Sequence, residues 1–310
     1  MAPRAILLMG PTGAGKTDLA VQLAAQWPVE IISVDSALVY RGMDIGTGKP
    51  DRDVLARVPH HLVDLLDPSE PYSAGQFVRD AVRLMAEIRG RGKVPLLVGG
   101  TMLYFRALTR GMAALPEADP ATRADIEAEA REQGWPALHA ELGLVDPVAA
   151  ARILINDSQR IQRALEVFRL TGQPLSHLQL ATQPPAPDVT FHRVTWGPTD
   201  REQLYGRIES RFHAMMAAGF LDEVRQLFAR KDLSPELPAL RSVGYRQLWG
   251  HLAHNASLEE AVSEGILATR HLARRQLIWL RKEPDNEWMD SLDSAVSVRI
   301  KQFMSRVFSL

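Results

Sequence analysis

The stretch Gly10-Pro11-Thr12-Gly13-Ala14-Gly15-Lys16-Thr17 fits G-x-x-x-x-G-K-[ST] at every fixed position and follows a short apolar run, Ala5 to Met9. Such a loop holds a phosphate. Gly13 and Gly15 reach backbone angles that turn successive N–H groups toward an anion, Lys16 adds a point charge, and Thr17 offers a hydroxyl to Mg²⁺. A helix from Lys16 to Gln26 would aim the positive end of its dipole at the same point. The next residues to weigh are those ending strands beside this loop, because ligands of an open parallel sheet lie outside the carboxyl ends of its strands. Asp35 ends the run Ile31 to Val34, and Gly99-Gly100-Thr101 ends Leu96 to Val98. Asp35 is either a turn residue or a general base. Thr101 is either the N-cap of a helix over Met102 to Leu108 or a second contact on the phosphate rim.

A motor or switch NTPase needs an acid at the end of a second apolar strand to hold Mg²⁺ and position water, and here that strand ends Leu-Val-Gly-Gly. Two chemistries then suit the loop: a small-molecule kinase with Asp35 as base, or a transferase from which diphosphate departs. Arg207 and Arg211, four apart on one helix, form either a phosphate clamp or a solvated pair beside Glu202 and Glu209. Residues 266–282 hold Arg270, Arg274, Arg275, Arg281 and Lys282 with no acid among them, more charge than a solvated helix usually carries. Trp279 and Tyr245 are either base-stacking platforms or core residues. The nine histidines, among them His60-His61 and His251 with His254, show no ligand constellation.

The elements that must position these groups fall into two patterns. Up to about residue 112, strands over Ala5 to Met9, Glu30 to Val34, His61 to Leu66 and Val94 to Val98 alternate with helices. One helix opens with Ser73 and Gln76 in capping-box spacing and carries Phe77, Ala81, Leu84, Met85 and Ile88 on one stripe. Between 113 and 187 strands give way to helices: Asp119-Pro120 and Asp146-Pro147 each place an N-cap before a first-turn proline, and a helix over Asn156 to Leu170 stops at Gly172. Gln183-Pro184-Pro185-Ala186-Pro187 reads as a linker returning to a β-rich run, Val189 to Trp196. This insertion is charge-segregated, with eight acids and two arginines between Glu117 and Asp146, then Arg152, Arg160, Arg163 and Arg169. After the N-cap Asp200 the chain reads as helices to near its end, over Arg201 to Ala218, Leu221 to Arg230, Tyr245 to Ala253, and from Ser257 to before Pro284. The expected class is α/β: a P-loop NTPase-like parallel sheet flanked by helices. Residues 1–112 plus 188–310 form the core with a helical C-terminal part, and 113–187 form a helical insertion domain.

With 310 residues, 46% of them hydrophobic, the chain can bury a large core in one large or two modest domains. Thirty-six basic against 37 acidic residues leave a formal charge of −1, so local charge decides the partners. The absence of cysteine excludes disulfides, thiolate zinc sites and cysteine nucleophiles, and suits the cytoplasm. The apolar run near the amino terminus is too short for a signal sequence, and no run approaches membrane-spanning length, so no membrane partner is expected.

Leu8 to Thr17, Ile32-Ser33-Val34-Asp35-Ser36-Ala37-Leu38-Val39-Tyr40, Gly42-Met43-Asp44-Ile45-Gly46-Thr47 and Val98 to Tyr104 together closely resemble the bacterial tRNA dimethylallyltransferases. The resemblance continues through Asn156-Asp157-Ser158-Gln159-Arg160, Arg241-Ser242-Val243-Gly244-Tyr245-Arg246 and Thr269 to Arg281, nearly the whole chain. It implies transfer of a dimethylallyl group from dimethylallyl diphosphate to the exocyclic N6 of the adenine immediately 3′ of the anticodon, in tRNAs reading codons that begin with U. Mg²⁺ is the implied cofactor, and no ATP is hydrolysed. By this resemblance Gly10 to Thr17 and Arg211 hold the donor diphosphate, Asp35 is the base, and Thr101 is a second contact to the adenine. Ser36, Ala37 and Leu38 line the pocket of the flipped base. Arg123, Gln159, Arg160, Ile161, Gln162 and Arg163 would hold the anticodon stem-loop, together with Arg241 to Arg246 and with Arg274, Arg275, Arg281 and Lys282. A cytoplasmic monomer is expected. Two departures from the family are Gly48, where Gly-Thr-Ala-Lys-Pro has alanine, and the lack of a zinc-finger extension at the carboxyl end. The first is expected only to loosen a loop away from the chemistry; the second implies a bacterial enzyme restricted to tRNA. The competing readings are a P-loop nucleotide or small-metabolite kinase with the insertion as its lid, and an RNA-binding module whose P-loop only locks its shape.

Overall fold

The computed structural model describes residues 3–113, 115–180, 184–186 and 188–309; Gln183 and Pro187 of the expected linker lie outside the described residues. In chain order the elements of its first stretch are β1 (Arg4–Met9), α1 (Lys16–Gln26), β2 (Val29–Val34), α2 (Arg52–Arg57), β3 (His60–His61), α3 (Ala74–Gly90), β4 (Val94–Gly99) and α4 (Met102–Arg110). Five helices follow: α5 (Pro120–Gln133), α6 (Trp135–Val145), α7 (Pro147–Ala150), α8 (Ser158–Thr171) and α9 (Leu175–Leu178). The chain then forms β5 (Thr190–Gly197), α10 (Arg201–Ala217), α11 (Phe220–Phe228), α12 (Tyr245–Leu252), α13 (Leu258–Leu280), β6 (Asn286–Asp290) and α14 (Val296–Ser309). Two compact units result, one of Met1–Thr109 with Ala186–Leu310, the other of Arg110–Pro185.

The first unit is built on six parallel strands in the order β3-β2-β4-β1-β5-β6. Side chains alternate across a strand, so β1 turns Ala5, Leu7 and Met9 to one face and Ile6 and Leu8 to the other. Both faces are covered. On the first lie α3 and α4, with Phe77, Ala81, Leu84, Met85 and Ile88 buried as the stripe predicts. The α3 capping box forms: Ser73 Oγ accepts from the Gln76 N–H at 3.1 Å, and Gln76 Oε1 accepts from the Ser73 N–H at 2.7 Å. On the second lie α1 and α14, the latter burying Val296, Ile300, Phe303, Met304 and Val307. Each such side chain contributes roughly 1.5–3 kcal/mol by leaving water. A third core, from α10 to α13 and the loop at Val39 to Met43, is centred on Phe212, Phe220 and Tyr245.

Two segments differ from the sequence reading. The apolar run His61 to Leu66 pairs in the sheet only at His60–His61, because Leu62 and Asp64 take left-handed angles, φ 64 and 53, and turn the chain away. The N–H groups of Leu65 and Leu66 go instead to the Val39 carbonyl, at 2.8 and 3.0 Å. After α13 the chain is not helical throughout. Residues 286–290 form the edge strand β6, whose burial falls on Met289 alone and so leaves no alternation to read.

The helical unit folds α5, α6 and α8 around Ile126, Leu138, Leu142, Ile161 and Leu165. Asp119 caps α5, accepting from the Thr122 N–H at 2.7 Å, and Asp157 caps α8, which ends at Gly172. Asp146-Pro147 opens only the single turn α7; the Asp146 carboxylate also takes the Ser176 N–H at 2.8 Å. Glu166, 0% exposed, is held by Arg123 Nε at 2.8 Å, Arg163 Nη1 at 2.6 Å and the Asp119 N–H at 2.9 Å.

Candidate active site

The P-loop leaves the central strand β1 and enters α1 at Gly15, where Gly13 (φ 79) and Gly15 (φ 81) take the left-handed conformation that side chains disfavour. Thr12 to Thr17 line a cleft of about 1370 Å³ that also reaches Asp18, Asp35, Leu38, Thr47 to Asp51, Arg207, Arg211 and Gln276. Gly10 and Pro11 stand behind it. A side chain on Gly10 would meet the Trp196 carbonyl at 2.2 Å, and the Pro11 carbonyl accepts from Lys16 Nζ at 2.8 Å. Burial pulls the Lys16 ammonium down to about 8, partly offset by the Asp35 carboxylate and deepened by Arg211. The Thr17 hydroxyl makes no hydrogen bond among the described residues.

Arg211 lies at the mouth of this cleft. Solvent reaches it, yet the walls strip enough water from its guanidinium to lower its pKa, against the pull of Asp35 and Asp18. Its Nη2 lies 3.5 Å from the Thr47 carbonyl, and it packs where Gly48 has no side chain: a Cβ there would be 1.8 Å from Nη2. Gly48 (φ 64) therefore belongs to the site rather than to a remote loop. Arg207 lines the cleft beside it, with Nη1 3.5 Å from Ser291 Oγ.

A second pocket, about 540 Å³, adjoins the first and shares Thr12, Gly13, Asp35, Thr47, Gly100, Arg211 and Gln276 with it. Its other walls include Ser36, Ala37, Thr101, Leu103, Arg241, Ser242, Val243, Arg275 and Trp279. Asp35 is a turn residue with one oxygen to spare. Its Oδ1 accepts from the N–H groups of Ala37 (2.8 Å) and Leu38 (3.4 Å) in a side-chain turn, and its Oδ2 makes no hydrogen bond among the described residues. Thr101 is placed on the rim: its Oγ1 accepts from the Ser36 N–H at 3.2 Å.

The loop facing the P-loop is fastened from below. Glu223 on α11 accepts from the N–H groups of Asp44 (2.8 Å), Ile45 (2.7 Å) and Gly46 (3.0 Å) and from the Tyr245 hydroxyl (2.6 Å). Lys49, its side chain 3% exposed, is bound to Asp44 and Asp64 at 2.5 Å each and to the Tyr40 carbonyl at 2.8 Å.

Three expected RNA contacts are corrected by burial. Tyr245 is 0% exposed in the third core with its ring edge-on to Phe220, so it is no stacking platform; Gly244 is buried beside it. Ile161 is 0% exposed inside the helical unit. Arg123 and Arg163 are committed to Glu166, Gln162 Nε2 lies 3.0 Å from Glu127 Oε1, and Arg160 pairs with Asp157 at 2.5 Å. Gln159 is exposed. On α13 and just past it, Arg274, Arg275, Arg281 and Lys282 are exposed without ion pairs among the described residues, whereas Arg270 is bound to Glu209 at 2.6 Å. Trp279 stays at the surface, 36% exposed, with the Arg106 guanidinium 5.5 Å from its ring.

Sequence reasoning missed Gln276, Glu223, Lys49 and Trp196. Gln276 left a trace: it is the one polar residue in the buried stripe Ala273, Gln276, Leu277, Leu280. Glu223 left none, since its backbone donors lie far away in sequence.

Comparison with known proteins points the same way. The model of the family described as IPP transferase matches residues 38–283, and that described as isopentenyl transferase matches residues 3–63. A tRNA dimethylallyltransferase of Ralstonia pickettii is 56% identical over 94% of this chain and 91% of its own length, and one of Bordetella pertussis is 53% identical over 99% of both. Among solved structures, the full-length tRNA isopentenylpyrophosphate transferase of Bacillus halodurans aligns with TM-score 0.68 at 35% identity, covering 97% of this chain and 95% of that one. A eukaryotic dimethylallyltransferase acting on tRNA aligns with TM-score 0.79 at 26% identity, over 98% and 80%. A phosphate loop, an acid on the wall of two adjoining pockets and these likenesses over the whole chain have one common reading: the chain belongs to the IPP transferase family.

Proposed function

We propose that this protein transfers the dimethylallyl group of dimethylallyl diphosphate to the exocyclic N6 of the adenine immediately 3′ of the anticodon, in tRNAs reading codons that begin with U, and releases diphosphate. The observation that carries the reading is Asp35 on the wall shared by two pockets, one lined by the P-loop and Lys16, the other by Ser36, Ala37 and Thr101. The names of the relatives supply the group and the acceptor.

An allylic C–O bond breaks when the charge gathering on the departing diphosphate is stabilised. Gly13 to Thr17, Lys16 among them, and Arg211 line the first cleft, and they are the groups this reading assigns to that charge. The adenine amine is a poor nucleophile because its lone pair is delocalised into the ring. The free Oδ2 of Asp35 orients that amine and takes its proton as the C–N bond forms, with Thr101 as a second contact. The purine must leave the anticodon stack to enter the second pocket, against Ser36 and Ala37. Leu38 stands on the donor side. Mg²⁺ fits the unpartnered Thr17 hydroxyl beside the P-loop, where the ion would add positive charge against the leaving diphosphate.

The unpaired cations Arg274, Arg275, Arg281 and Lys282 suit the RNA backbone, as do Arg241 and Arg246 and, on the helical unit, Gln159 and the exposed parts of Arg123, Gln162, Arg160 and Arg163. The same reading takes the protein to act as a monomer in the cytoplasm. No helix among the described residues is long and apolar enough to cross a membrane. The test is direct: unmodified tRNA is incubated with dimethylallyl diphosphate and Mg²⁺, digested, and its adenosines weighed. One added five-carbon unit per tRNA is expected. Unchanged tRNA mass would leave an RNA-binding module, and ATP consumption with a small hydroxyl acceptor would establish a kinase.

A further inference from the structure

The donor cradle and the acceptor rim come from different strands, and their separation must be held while a bond is exchanged between them. One side chain spans the gap. Gln276, on the inner face of α13 and 8% exposed, lines both pockets. Its Oε1 accepts from the Thr12 N–H of the P-loop at 2.9 Å, and its Nε2 donates to the Gly100 carbonyl at 2.8 Å. The two partners fix the orientation of the amide, since a flipped group would set oxygen against carbonyl and N–H against N–H. Gly100 is what lets the amide approach so closely: a Cβ there would meet Nε2 at 2.4 Å. The chain of contacts continues, for Thr101 follows Gly100 and its Oγ1 accepts the Ser36 N–H at 3.2 Å, next to Asp35.

Resting on the transferase reading above, we infer that Gln276 is a positioning residue for the transfer step, a spacer of fixed length that sets the P-loop against the strand end carrying Thr101 and, through Ser36, Asp35. It acts through Thr12 and Gly100. Loss of the spacer lets the cradle and the amine drift apart, and water then competes for the allylic carbon. In that side reaction the C–O bond of the donor breaks, the electron pair leaves with diphosphate, water forms the new C–O bond, and its proton goes to solvent.

The test uses the full-length protein and two variants, Gln276→Met and Gln276→Glu. Met keeps the volume and removes both hydrogen bonds. At saturating donor and tRNA, Gln276→Met is expected to lower the single-turnover transfer rate by about 10- to 100-fold. Both dissociation constants should stay within about threefold of wild type. Diphosphate released should exceed adenine alkylated. Glu can accept from Thr12, but as a carboxylate it opposes the Gly100 carbonyl; once protonated it donates there as the amide does. Gln276→Glu should therefore match the Met variant near pH 8 and recover several-fold near pH 6, while Met does not. Rates are divided by the wild-type rate at each pH, so that any pH response shared with wild type, that of Lys16 included, cancels; the charged groups that line both pockets with Gln276 are Asp35 and Arg211. Unfolding of a variant shows in its thermal melt, and the recovery of Gln276→Glu in acid separates misplacement from misfolding. A transfer rate equal to wild type in Gln276→Met, or a loss carried wholly by weaker donor binding with one diphosphate per alkylated base, would overturn the inference. Absence of transfer by the wild-type protein would overturn the function itself.

Discussion

The cations of the donor cleft and those of the helical unit are put to opposite uses. In the unit Arg110–Pro185, Arg123 and Arg163 close on the buried Glu166, Arg169 bridges Glu129 and Glu141 at 2.7 and 3.0 Å, and Arg160 caps back onto Asp157. In the donor cleft Lys16 has a carbonyl for its partner and Arg211 a distant one; elsewhere in the same unit, four cations at the end of α13 and just past it have no acid among the described residues. Neutralised arginines hold a fold together. The uncompensated, exposed ones are those proposed above to meet a polyanion.

The sharpest way to break this contrast lies in the donor cleft, at Asp35. Asp35→Asn keeps the shape and removes the base, so the single-turnover rate should fall by about 10²- to 10⁴-fold. tRNA binding measured by filter retention should change little; intact chemistry with lost binding would make the residue an RNA contact. Glu166→Gln should cost the helical unit about 3 kcal/mol, near the low end for breaking a buried pair because both guanidinium groups keep some solvent access. Calorimetry with an unchanged melting profile would show that those arginines do not carry the unit. Burial alone would raise the Glu166 pKa, and the hydrogen bonds from Arg123 and Arg163 more than reverse it. That contribution to stability is thus present above the ordinary glutamate pKa and is lost as the pH falls below it.

The depressed pKa of Lys16 gives the third test. Donor-free protein loses the Lys16 charge as the pH rises through about 8, so donor affinity should weaken above that value, by up to about tenfold per pH unit. The unfolded chain binds this proton up to its ordinary value of 10.5, so stability of the empty protein rises with pH across the same window. Lys16→Met should bind donor weakly at every pH, and a titration as steep as wild type's would place the effect elsewhere. The smallest effect is on RNA affinity: Arg274 and Arg275 changed together to Ala should reduce the salt slope of tRNA binding by about 1 to 2. Arg123→Ala, its charge shared with Glu166, should reduce the slope by less than that.

What could be read in the residues follows from how local each signal is. The P-loop with α1, the capping box of α3 and the caps at Asp119 and Asp200 are settled within a few residues, and each is found where the sequence places it. Strand β6 is held by pairing with β5 and has almost no pattern of its own, so nothing local announced it. Tyr245 sits in a motif of polar and cationic neighbours, and only the packing of Phe220 and Glu223 decides that its ring turns inward. Gly48 looked incidental because the guanidinium it accommodates comes from a helix more than a hundred residues away.

The fastening of the loop at Asp44 to Lys49 gives the cleft a direction. Its N–H groups at Asp44, Ile45 and Gly46 are taken by Glu223, those at Gly48 and Lys49 by carbonyls of the same loop, and the Lys49 ammonium by Asp44 and Asp64. That wall has almost nothing left with which to attract negative charge. On the reading proposed above, a donor with one anionic end and one hydrocarbon end is expected to lie with its head toward the glycines and Lys16 and its tail away from them.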